Sequence, residues 1–123
     1  MIDKIINVLA YLVSLLLLGT AIRWLIDPSG AAAELGMPLL EGVGRSSQVG
    51  DMTAFFAVAG VFGFWGLLKK NRAILYAPMA LVGFAAIFRT LAWALHDAAL
   101  APMIVPELVM LAIYFAASRK MTD

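Results

Sequence analysis

Apolar residues fall along this chain in four long blocks separated by short polar segments. The first covers about residues 4–26, with "LVSLLLLG" at its centre, and the second about 50–68, with residue 46 as its earliest start. The third covers about 73–96 and the fourth about 100–118. Each reaches or nears the ~20 helical residues that cross a bilayer core of roughly 30 Å. A backbone in lipid must satisfy its own hydrogen bonds, so the pattern predicts four spanning α-helices. The prolines agree with these boundaries. Pro102 and Pro106 fall in the first turns of the fourth span and Pro78 near the start of the third, where a missing N–H is best tolerated.

Composition turns the pattern into a class. Hydrophobic residues make up 63% of the chain and charged residues 14%, with a mean hydropathy of +0.94. That leaves too little polar surface to cover a soluble core. The expectation is a single all-α, polytopic membrane domain over residues 1–123. Lys4, the apolar run Ile5 to Leu18 and the small residues Gly19 and Ala21 also fit a signal peptide. The run continues through Ile22 to Ile26, however, so a retained first helix is expected.

Charge asymmetry sets the direction. Lys4, then Lys69, Lys70 and Arg72, then Arg119 and Lys120 fall on one side of a four-span arrangement, with Arg23, Arg45, Asp27, Glu34, Glu41 and Asp97 on the other. The positive-inside rule predicts a cytoplasmic (inner) membrane protein with both termini and the "KKNR" turn in the cytoplasm. Trp24 and Trp93 then approach the outer interface and Trp65 and Tyr76 the inner one. Outside, residues 97–102 make a tight turn, whereas residues 27–48 are longer than a connection requires. Asp27 as cap, Pro28 at the first helical position and Gly36 after Leu35 predict a short helix. "MPLL" is apolar enough to lie back on the helices. The expected fold is a four-helix bundle with a short helical lid between helices 1 and 2. Long ordered connections often carry function, and stabilising packing is the ordinary alternative.

Candidate chemistry gathers in the outer half. Arg89 lies seven residues before His96, and Glu107 seven residues after Leu100 on the next span. At 1.5 Å per residue both sit about 10 Å inside the outer end. An unpaired charge at that depth costs several kcal/mol, so the two should face inward and meet, with Glu107 accepting two Arg89 donors side by side. Asp51 descends from the same side as a second partner, and Arg45 precedes it as a neutralising charge. Arg89, Trp93 and His96 share one face of the third span, and Met103, Glu107, Met110 and Tyr114 one face of the fourth. Ala59, Gly60, Gly63 and Gly66 give the second span a small-residue face for close helix approach.

Two roles are open for the cluster of Arg89, Glu107, Asp51, Arg45, His96 and Trp93. Buried ionic groups can simply fix which helices are neighbours. Alternatively the cluster lines a pocket beneath the lid for a small apolar, quinone-like or lipid-like ligand. Arg89 would then hold a carbonyl or carboxylate, and Glu107 would be the group able to exchange a proton. A membrane enzyme or redox subunit acting on a quinone or lipid is the alternative function, and a homo-oligomer or a membrane-complex partner is open. A proton-coupled transporter needs a polar path through both halves, and the inner half offers only Ser14. Zero cysteines exclude disulfides and thiolate chemistry. One histidine leaves no transition-metal ligand set, and a net charge of +1 without a basic stripe gives no nucleic-acid footprint. No phosphate loop or other cofactor motif is present, so neither a cofactor nor a metal is expected.

The first span ends in "DP", followed by "ELGMP" and by "GRSSQVGDM" leading into the glycine-rich second span; "FRTLAW" ends the third and "PELV" opens the fourth. Across almost the whole chain this arrangement resembles the DoxX-like four-helix membrane proteins, most closely a short bacterial family known as a domain of unknown function. The resemblance implies a four-helix bundle in the cytoplasmic membrane, with Arg89 and Glu107 at the positions of the family's typical arginine and glutamate. It implies no single activity. Some DoxX-like proteins resemble a quinone-linked oxidoreductase subunit and others act in assembly of membrane complexes, and a chain without cysteine departs from any thiol-based role.

Overall fold

The computed structural model describes residues 1–121, leaving Thr122 and Asp123 outside the described residues. The fold is all-α, with helices α1 (Ile2–Ile26), α2 (Pro28–Glu34), α3 (Gly42–Lys69), α4 (Arg72–Leu95) and α5 (Ile104–Ser118). Among the described residues, α1, α3 and α4 are long and apolar enough to cross a membrane, and α5 is a shorter apolar helix. α1 packs on α3, α3 on α4, α4 on α5 and α5 on α1, while α2 folds back on α1. One end of the molecule therefore carries α2 and the α4–α5 connection; the other carries the N-terminus, the α3–α4 turn and the end of α5.

Local chemistry sets the boundaries. Asp27 Oδ1 accepts from Gly30 N (3.1 Å) with Pro28 opening α2, and Gly36 takes φ +75° just beyond it, as the sequence predicts. Asn71 caps α4 through Ile74 N (3.2 Å). Arg72 ties the start of α4 to the end of α5, donating to the carbonyls of Ser118 (3.0 Å) and Met121 (2.7 Å). Two boundaries differ from expectation. α3 starts at Gly42 rather than near residue 50, because its polar first two turns are helical without being apolar. α5 starts at Ile104 rather than near residue 100, so Pro102 lies in the connection and only Pro106 occupies the first turn.

The interior combines small residues with a few large ones. Ala10, Val13 and Leu17 of α1 meet Ala59 and Leu67 of α3, Leu75 of α4, and Tyr114 and Ala117 of α5. At its centre Ser14 donates to the Ala10 carbonyl (3.0 Å) and accepts from the Tyr114 hydroxyl (2.7 Å), both side chains fully buried. Ala59, Gly60, Gly63 and Gly66 are all buried, as the small-residue face requires. The outward surface is the apolar one: Leu12, Leu15, Leu16 and Leu25 of α1 are all more than half exposed. A continuous apolar exterior of this kind belongs in lipid, where association rests on close packing rather than on burial from water.

Two glycines of α3 separate close approach from open space. A methyl at Gly60 would sit 2.8 Å from the Leu18 backbone nitrogen, whereas one at Gly50 meets nothing within 4 Å. Gly60→Ala is expected to lose about 1–3 kcal/mol through forced separation of α1 and α3. Gly50→Ala should gain about 0.5–1 kcal/mol from helix propensity alone. Detergent-titrated unfolding of both variants checks the pair, and equal effects would contradict the packing.

Candidate functional site

Six residues before the end of α4, Arg89 turns toward the first turn of α5, where Glu107 is only 7% exposed. Arg89 Nε lies 3.2 Å from Glu107 Oε2, to which it donates, and 3.1 Å from Oε1, which has no hydrogen bond of its own. Helix geometry explains the meeting: an antiparallel pair joined by a short connection brings residues at matched depth face to face. The expected side-by-side pairing through two nitrogens does not form. A single Nε spans the carboxylate, and the terminal amino groups of Arg89 make no hydrogen bond among the described residues.

Arg89 also borders a groove. Between α3 and α4 lies a cavity of about 320 Å³, walled by Met52, Phe55 and Phe56 of α3 and by Ala85, Phe88 and Ala92 of α4, with Leu35 at its end. Arg89 is the one charged residue in its lining. Phe88 is 60% exposed, so the groove opens sideways onto the apolar exterior. Its volume lies at the small end of the ligand-pocket range.

The other sequence candidates do not join this pair. Asp51 is exposed and forms no ion pair among the described residues: it falls on the outward side of α3, one residue before the groove-facing Met52, and successive helical positions are turned by about 100°. Arg45 is exposed and donates to the Leu40 carbonyl (2.8 Å) instead of neutralising an acid. His96 is exposed at the C-terminal cap of α4, and Trp93 is 51% exposed on its outward side. Of the expected six, the structure therefore pairs Arg89, half-buried, with the buried Glu107, and leaves Asp51, Arg45, His96 and Trp93 exposed. Among the described residues, no group of three or more His, Cys, Asp or Glu side chains is placed to hold a metal.

Two organising residues escaped the sequence reading. Gln48, the chain's only glutamine, accepts from Leu40 N (2.9 Å) and donates to the Pro38 carbonyl (3.1 Å), so that it and Arg45 stitch the "MPLL" segment to α3. A lone amide after two serines carries no pattern that could have announced this. Trp24, expected at a membrane interface, is fully buried instead. It packs with Ala31 and Ala32 of α2, and Leu35, Met37, Val49, Met52 and Phe56 close around them. Its position on α1 decides this, because α2 folds back over that face and covers the ring before solvent or lipid can. Searches of family models, curated proteins and solved structures found no match to this chain.

Proposed function

We propose that this chain is a DoxX-like, four-span protein of the cytoplasmic membrane that binds a small amphipathic ligand in the α3–α4 groove. In this reading α5, extended by its flanking residues, is the fourth span of the bundle. Both termini and the "KKNR" turn are cytoplasmic, α2 and residues 35–41 form a lid, and the groove lies in the outer half. Its activity is that of an accessory or ligand-binding bundle. The observation that carries the proposal is Arg89 in the groove wall, engaged by Glu107 through Nε alone and keeping its terminal donors. A half-buried guanidinium with unused N–H groups can donate to the acceptor oxygens of a ligand. The fitting ligand presents a carboxylate, phosphate or quinone-type carbonyl to Arg89 and lays an apolar body along Phe55, Phe56 and Phe88. Glu107 holds the guanidinium in place from the side away from the groove. The "FRTLAW" and "PELV" motifs support the family assignment, and the basic residues gathered at the opposite end support the orientation.

Native mass spectrometry of the chain released from nanodiscs tests this. One defined small molecule bound at a single equivalent is expected, lost by at least tenfold in Arg89→Met and kept in His96→Gln. Bulk lipids alone, with no stoichiometric adduct, would sink the groove. A reporter fused after Asp123 should read as cytoplasmic, and a periplasmic signal would reverse the placement of the lid.

A further inference from the structure

At the end of the molecule away from Arg89 lies a second cavity, of about 270 Å³, between the start of α1 and the ends of α3 and α5. Its floor is apolar, from Ile6, Tyr11 and Leu67, and Lys70 and Lys120 stand in its lining. Lys120 is paired with Asp3 across the same cavity. Lys70 makes no ion pair among the described residues and holds the left-handed conformation (φ 50°) that ends α3. A non-glycine residue in that conformation is uncommon and locally costly; here it sets the lysine at the α3–α4 corner. The cleft is of mixed character, with ammonium groups and apolar side chains in one lining; at the end of a membrane-spanning bundle, that pairing suits the phosphate of an anionic lipid and the first part of its apolar body.

We infer that this cavity is a binding site for the phosphate headgroup of an anionic phospholipid, held by Lys70 and Lys120. Asp3 competes with the phosphate for Lys120 and so tunes the affinity. Lys4 and Lys69 are exposed at the same end but outside the cavity, which makes them the control for unspecific attraction. The site is separate from the Arg89 groove and rests only on the membrane placement, which incorporation into nanodiscs checks by itself.

The chain in nanodiscs of phosphatidylcholine is titrated with phosphatidylglycerol, and retained lipid is read by native mass spectrometry. The wild type should retain one phosphatidylglycerol in clear preference to phosphatidylcholine. Lys70→Gln with Lys120→Gln should lower that affinity by about fivefold for each lysine removed. Lys4→Gln with Lys69→Gln, which removes the same charge, should leave the preference within twofold. Asp3→Asn should raise the affinity, and this gain variant remains informative if the double variant folds poorly. Equal loss in the two lysine pairs would reduce the effect to general surface charge and overturn the site. An Asp3→Asn chain that binds no more tightly would remove Lys120 from it. Displacement of the lipid by millimolar inorganic phosphate would reassign the cavity to a free anion.

Discussion

Arg89→Met is expected to destabilise the fold by about 3–5 kcal/mol. The substitution keeps the length and apolar volume of the side chain but leaves Glu107, 7% exposed, without its counter-charge. A carboxylate stranded among apolar helices has no water to fall back on, so the loss exceeds the value of the pair itself. Glu107→Gln should cost less, because the amide can still accept from Nε and Arg89 borders the open groove. The double variant Arg89→Met with Glu107→Gln should be milder than the sum, with a coupling of at least about 1 kcal/mol in detergent-titrated unfolding. Strictly additive losses would show that the two side chains are not partners in the folded protein. The double variant also divides the two roles open for the pair. If it folds well yet loses the small-molecule adduct, Arg89 serves binding as well as structure. If the adduct persists, the groove does not depend on the guanidinium.

Trp24→Ala should cost about 3 kcal/mol, the low end of the range for deleting a large buried aromatic. The low end applies because lipid is itself apolar, so the loss is of packing contacts and not of transfer from water. The effect should also be local. Trp24 is the hub on which Ala31 and Ala32 of α2 close, with Leu35 and Met37 following. Hydrogen exchange across residues 28–40 is expected to rise by at least tenfold, while α4 and α5 keep their protection. Gln48 and Arg45 hold the far end of the same segment, so loosening should be greatest near α2 and least near Leu40. Uniform loosening of all five helices would mean that Trp24 supports the whole packing and has no special part in docking α2.

Both expectations descend from different levels of the chain. That Arg89 and Glu107 meet was legible from residue counting alone: a short connection joins two apolar stretches, and a charge at matched depth on each has no other inexpensive partner. The short helix after Asp27-Pro28 was legible too, because capping chemistry is local. The small-residue face of α3 followed from helical periodicity, and Gly60 lies against Leu18 as that face requires. Burial of Trp24 was not legible, since an aromatic at the end of an apolar run fits an interface and an interior equally well. Nor was the placement of Asp51, because a register difference of one residue turns a helical side chain from the groove to the exterior.

By itself, then, the sequence determined the helical class, the suitability for lipid of three of the four expected spans, the cap at Asp27 with the short helix after it, and the Arg89–Glu107 pair. These follow from hydropathy, from backbone hydrogen bonding and from the cost of isolated charge, all of which act through composition and spacing. Only the tertiary structure decided that α3 runs two turns beyond its apolar part, that Gln48 and Arg45 fasten the segment before it, and that Asp51 stays apart from the Arg89–Glu107 pair. Those features depend on which sides of α1, α3 and α4 turn toward each other. Helix rotation is fixed by the sum of many small packing contacts, and no single residue announces it.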